Sequence, residues 1–214
     1  MTTTNTRLAR LLQLASPALP VGAYSYSGGL EAAVEAGIVR DAASAQRWIG
    51  DVLELSIARM EAPILFRMLR DGAERWNPLF LASRETAELR AETVQMGYSL
   101  NRLVPDLGLA ALDFDDVSFP AAFANAAAQW EIAPREALTG YLWAWLENQV
   151  LAAVKTVPLG QTEGQRMLSG FGHHIPDLVE SIFILKDEDL ENFTPGLAML
   201  SSRHETQYSR LFRS

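Results

Sequence analysis

An all-α fold, a single-domain orthogonal bundle of roughly eight to ten helices, is what this chain predicts, on three observations. Alanine, the strongest helix former, accounts for 30 of the 214 residues, and leucine is also frequent. Ala45, Trp48, Ile49, Val52, Leu53, Ile57 and Met60 follow the i, i+3, i+4, i+7 spacing of one helical face. The strict apolar–polar alternation of a half-buried strand is hard to find.

The elements follow in order. Arg7 to Ala15 reads as a short first helix ended by Ser16 and Pro17, and Pro17 to Ser27 as a turn-rich segment. Helix resumes near Gly28 and stops at Gly37. Asp41 is placed to cap the next helix, because its carboxylate can accept from the first free backbone N–H groups. A further stretch carries Ile64, Leu65, Met68 and Leu69 as far as Asp71-Gly72. Asn77-Pro78 is expected to open the following helix, with proline in the first turn. Its continuation from Ser83 to Glu92, rich in Arg and Glu, reads as a solvated face. Val104 to Val117 is mostly connection, Phe119 to Trp130 an Ala-rich helix, and Pro134 opens a long helix to about Val154. That helix is apolar nearly all round, which marks it as central. Shorter helices are expected near Thr162–Phe171 and Pro176–Leu185, followed by the acidic patch Asp187, Glu188, Asp189 and Glu191.

Composition narrows the function. The 49% apolar content supports a core without disulfides, and no cysteine is present. A net charge of −8 argues against binding a phosphate backbone. Neither lysine, Lys155 or Lys186, follows a Gly-rich turn, so no P-loop is present. The first residues, MTTTNTRLAR, lack the apolar run of a secretory signal, and no stretch approaches the roughly 18 apolar residues of a membrane span. A cytoplasmic protein is therefore expected.

Catalytic motifs are missing. Ser25 and Ser27 lie near glycines without the G-x-S-x-G spacing. His204-Glu205 begins an H-E-x-x-H pattern, but Tyr208 stands where its second histidine belongs. His173 and His174 are weak metal candidates, because neighbours on a helix point about 100° apart. A hydrolase is thus disfavoured. Three places remain. The segment from Pro20 to Glu31 sets Tyr24 and Tyr26 among serines and glycines, which turn chemistry or an interface could explain. Glu147-Asn148-Gln149 interrupts the apolar central helix, so at least one faces inward; Lys155 follows near that helix's end. Residues 201–214 carry a net charge of +2 and interleave arginines with Tyr208, Leu211 and Phe212, a composition typical of binding hot spots. This segment either folds onto the acidic patch at 187–191 or forms an arm that orders against another protein.

Three stretches carry a resemblance: LLQLASPALPVGAYSYSGGLEAAVEAG at 11–37, LENQVLAAVKTVPLGQTEGQRML at 146–168 and SSRHETQYSRLFRS at 201–214. Together, in this order and spacing, they resemble the urease accessory protein UreF family. One departure is Gly28, where the family pattern has a polar residue after the serine. The resemblance implies an all-α, non-catalytic protein that dimerises, binds the accessory protein UreD (or UreH) and recruits the GTPase UreG for GTP-dependent nickel loading of apo-urease. It implies no intrinsic cofactor, the nickel being handled by the complex, and no nucleic-acid or membrane partner. It divides the chain into a helical domain at 1–200 and a partner-binding arm at 201–214. Arg203, His204, Glu205, Gln207, Tyr208, Arg210 and Phe212, with Tyr24, Tyr26 and Glu31, are expected on the partner or dimer surface. Lys155, Pro158, Gly160 and Gln161 are expected to serve GTPase recognition or gating. The alternative is a metallochaperone that carries nickel on surface histidines, His173, His174 and His204.

Overall fold

The computed structural model describes residues 3–214 and is helical throughout, with no strand among them. In chain order the helices are α1 (Thr4–Leu14), α2 (Leu30–Glu35), α3 (Ala42–Val52), α4 (Ala62–Asp71), α5 (Ala73–Ala82), α6 (Ala87–Leu103), α7 (Phe119–Gln129), α8 (Pro134–Thr156), α9 (Gln161–Gly172), α10 (Ile175–Ile184) and α11 (Pro195–His204). The all-α bundle is as expected. α8 is its axis: α1, α2, α3, α4, α9 and α10 all pack on it, and α7 links α4 to α6. Leu138, Leu142, Leu146 and Ala153 of α8 are fully enclosed, while Trp143 reaches the surface.

Asp41 caps α3 as expected. Its carboxylate accepts from Ser44 N–H at 2.8 Å, and the Ser44 hydroxyl in turn accepts from Asp41 N–H at 3.0 Å. α3 and α4 do not meet directly. They are joined through a π-helical segment, Leu53–Glu61, into one uninterrupted helical path. Proline explains part of this. Pro63 has no N–H to give the Arg59 carbonyl one turn back, and that carbonyl instead accepts from Glu191 N–H at 3.4 Å. The widened turn leaves Glu61 at its end, with its carboxylate turned inward.

Two expectations need correction, one open alternative is decided, and one helix is new. The helix expected to open at Asn77-Pro78 begins at Ala73 and holds Pro78 inside it. Asn77 is spent elsewhere: its side chain bonds Ser118 N–H and the Asp116 carbonyl, both at 3.0 Å, and so pins the 116–118 loop. The stretch 83–92 is not one solvated helical face. It breaks after Ala82, restarts with Thr86 as the N-cap of α6, and turns Arg84, Glu88 and Glu92 toward the interior. The acidic patch does not receive the C-terminal segment: Asp187 takes buried Arg67 at 2.7 Å, and Glu191 lies 4.0 Å from Arg59. Finally, α11 was not anticipated, because it begins at a Thr-Pro-Gly sequence that reads as a turn.

The backbone just before α7 lies tightly against α6 at Gly97. A Cβ there would lie 2.0 Å from the Val117 carbonyl oxygen, a backbone atom that cannot swing away. Gly97→Ala is therefore expected to lower unfolding stability by about 2 kcal/mol or more. Gly170→Ala, at a helical site with open space, is expected to be neutral or stabilising by up to about 1 kcal/mol. Thermal or urea denaturation of the pair checks both.

Candidate functional site: the docked C-terminal segment

A cluster of polar bonds holds the C-terminal residues against the helical body. It begins at the turn before α2. Gly28 and Gly29 both have positive φ, +57° and +84°, which side chains rarely adopt. A Cβ on Gly29 would also meet Leu197 of α11 at 2.7 Å. This double turn aims Glu31 of α2 at the C-terminal segment instead of at solvent.

Glu31 is nearly buried, and three groups converge on its two carboxylate oxygens. Leu211 N–H lies at 2.6 Å, Phe212 N–H at 2.8 Å, and His204 Nε2 at 3.2 Å. The other ring nitrogen of His204 lies 2.8 Å from Glu88 of α6, whose second oxygen takes Arg210 at 2.9 Å. A neutral imidazole has only one N–H, so an imidazole bonded to two carboxylates requires either both nitrogens protonated or one carboxyl protonated. At the far end, Ser27 donates from both its N–H and its hydroxyl to the Ser214 carbonyl, and Arg213 N–H donates to the Ser25 carbonyl. The Ser214 hydroxyl donates to Glu92 of α6 at 2.7 Å. Phe212 is buried, with the Lys155 ammonium 5.4 Å from its ring centroid.

The three stretches that carry the family resemblance therefore meet at one place. Tyr26 lies inside, its carbonyl accepting from Asn148 of α8 at 3.0 Å, whereas Tyr24 is exposed. Gln149 is the buried member of the Glu147–Gln149 trio, against Gly28. His204 is wholly enclosed, which removes it from any set of surface histidines. His173 and His174 are exposed at the end of α9, and His173 Nδ1 lies 2.7 Å from the Ser169 carbonyl. No group of three or more His, Cys, Asp or Glu among the described residues is arranged to hold a metal. Lys155, Pro158, Gly160 and Gln161 are exposed around the end of α8. Arg203, Glu205, Tyr208, Leu211 and Arg213 face solvent, Tyr208 fully, and Gln207 is half-buried. Glu88, Glu92 and Ser214 hold the segment in place and were not singled out by the sequence.

Between α6 and α8 lies a cavity of about 130 Å³, whose wall includes Glu61, Arg84, Glu92, Tyr141 and Gln149. Glu61 accepts from the Tyr141 hydroxyl at 2.6 Å and pairs with Arg84 at 3.0 Å. Burial, then the Glu61 charge, raises the Tyr141 hydroxyl well above its ordinary value. Burial also pushes the Glu92 carboxyl up to about 7.

Fold and site together define an all-α protein with its C-terminal segment docked on the helical body, Phe212 buried and Tyr208 exposed. Comparison with known proteins makes this specific. Residues 39–172 match the sequence model of the family described as UreF. The chain is 60% identical to the urease accessory protein UreF of Azoarcus sp. (strain BH72), over 97% of this chain and 95% of that protein. It is 52% identical to the urease accessory protein UreF of Dechloromonas aromatica (strain RCB), over 97% and 98% of the two chains. The chain belongs to the UreF family of urease accessory proteins. No helix among the described residues is long and apolar enough to cross a membrane.

Glu31→Ala is expected to free residues 205–214 while the helical circular dichroism persists, because it strands two backbone N–H groups and a buried imidazole. Loss of docking by about 2 kcal/mol or more is expected. Faster tryptic cleavage at Arg210, compared with the unsubstituted chain, is the measurement.

Proposed function

We propose that this chain is a urease maturation factor that acts as a scaffold and regulator. It joins a UreD/UreH-type protein to the UreG GTPase during GTP-dependent incorporation of nickel into apo-urease, in the cytoplasm and as a homodimer. Family membership supports the urease role. One observation carries the scaffold reading: the last residues are fixed by their backbone and buried anchors, while Tyr208, Leu211 and Arg213 are left facing solvent. A rigid aromatic and arginine surface loses little entropy on binding, which is what a protein-binding hot spot requires. Tyr24, exposed on the neighbouring turn, extends this surface. The end of α8, with Lys155, Pro158, Gly160 and Gln161, is assigned to the GTPase, and the Lys155–Phe212 contact connects the two surfaces.

Deleting residues 201–214 would be a poor test, since Ser201 and His204 belong to the core of α11. Tyr208→Asp combined with Leu211→Asp alters the exposed face alone. In co-expression with a UreD/UreH-type partner, this double variant is expected to lose at least about thirtyfold in affinity, the equivalent of one hot spot at about 2 kcal/mol. Unchanged co-purification would contradict the proposal.

On this reading nickel belongs to the complex. Calorimetry of the isolated chain with Ni²⁺ is expected to show no stoichiometric uptake. Tight binding that disappears in His173→Ala/His174→Ala would instead support the metallochaperone.

A further inference from the structure

We propose that the cavity between α6 and α8 is a binding site for a small organic cation, an alkylguanidinium or alkylammonium group on a short apolar stem. The site goes beyond the scaffold reading and does not depend on it.

Three features of the wall point to this chemistry. The first is charge. Four carboxylates, Glu61, Glu85, Glu92 and Glu147, line the cavity against one cation, Arg84, which is already paired with Glu61 at 3.0 Å. Glu61 is further committed to the Tyr141 hydroxyl. Glu92 has the Ser214 hydroxyl on one oxygen and leaves the other open. Glu147 has no ion pair and no hydrogen bond among the described residues, and burial is the one cause that raises it above its ordinary value. The second feature is Gln149. It is 4% exposed, yet its side-chain amide makes no hydrogen bond among the described residues. Its Nε2 lies beside Gly28, 3.2 Å from where a Cβ would stand, and glycine offers it no partner. A buried amide left unpaired is costly, and this one lines the cavity, where a ligand can reach it. The third feature is size. At about 130 Å³ the cavity is close to one of roughly 150 Å³ that admits benzene, so a ligand of about six heavy atoms fits. Val52, Ile57, Met96 and Leu197 complete a wall suited to a short alkyl stem.

An N–H-rich cation answers all three. Its donors serve the open carboxylate and amide oxygens, its charge offsets the excess of carboxylates, and its stem meets the apolar wall. Burial is also the first cause that raises Glu85 and Glu92, the latter to about 7, as expected of carboxylates short of cations. A bare metal ion fits less well, because no group of three or more His, Cys, Asp or Glu among the described residues is arranged to hold one. An anion would face the charge of the wall. A free alkylguanidine and the end of a partner's arginine side chain share the chemistry required.

The probe is ethylguanidinium, titrated into the full-length chain at about pH 8, where Glu92 is ionised. Binding is followed by the indole N–H resonance of Trp145, which lines the cavity. Saturable one-to-one binding with a Kd of about 1 mM or tighter is expected. Ethylurea, of the same shape without the charge, is expected to bind at least about tenfold more weakly. Gln149→Met keeps the volume and removes the amide. It is expected to weaken ethylguanidinium binding at least about tenfold while Tm holds or rises, since the unpaired amide is gone. No saturation by about 20 mM, a cavity that takes water only, would overturn the proposal. So would equal binding of ethylurea, or unchanged affinity in Gln149→Met. Should Gln149→Met lose its helical signal, Glu92→Gln decides: a loss of about tenfold sustains the site, and unchanged affinity defeats it. Nα-acetyl-arginine methylamide separates the two sources. Binding as tight as that of ethylguanidinium assigns the site to a partner's side chain, and exclusion assigns it to a free cation; either sustains it. No partner protein is needed, so failure here leaves the scaffold reading standing, and failed co-purification leaves the cation site standing.

Discussion

The carboxylate of Glu31 is the fixed point on which the docked C-terminal segment depends. Two backbone N–H groups and one imidazole converge on it from residues more than 170 positions away in sequence. Each would be costly to bury alone, and a buried carboxylate without donors would be costlier. The group is stable only as a set. The double-glycine turn places the acid, α11 brings the histidine, and the last residues supply the amides. Glu88 then bonds the other ring nitrogen of the histidine and pairs with Arg210.

This arrangement explains how a chain end with arginines and aromatics can be ordered yet still available. It is held to the body by main-chain bonds, the Arg210 and Ser214 side chains and one buried phenyl ring, which leaves Tyr208 and Leu211 uncommitted. The usual cost of a disordered arm, the entropy of ordering upon binding, is met within the fold. The turn at 24–27, the α8 residues Asn148 and Lys155, and the terminal segment form one continuous structure.

How much of this was legible depends on how local each interaction is. The Asp41 cap, the apolar α8 and the glycine-rich turn could be read because their causes lie within a few residues of one another. The inward residue of the Glu147–Gln149 trio followed from helical geometry, and proved to be Gln149. The roles of Glu88 and Glu92 could not be read. Their spacing after Thr86 matches any solvated helix, and their partners lie more than 110 positions on. The two tyrosines were conspicuous, but composition could not show that Tyr26 turns inward while Tyr24 stays wet. The partner of the acidic patch was hidden for a related reason: charge made the terminal arginines one candidate, whereas Arg67, hidden in an apolar helix, claims Asp187.

The π-helical segment carries one more implication. Each residue of an α-helix turns the chain by about 100°. A widened turn therefore acts as a one-residue insertion that resets the phase of everything after it. Removal of a single residue between 53 and 61, with relaxation to ordinary helix, would rotate α4 against α7 and α8 and swing Glu61 away from Tyr141 and Arg84. The helix would keep its composition and lose its register. Chain length through this stretch should therefore tolerate change far less well than the surface loops, whatever side chains it carries.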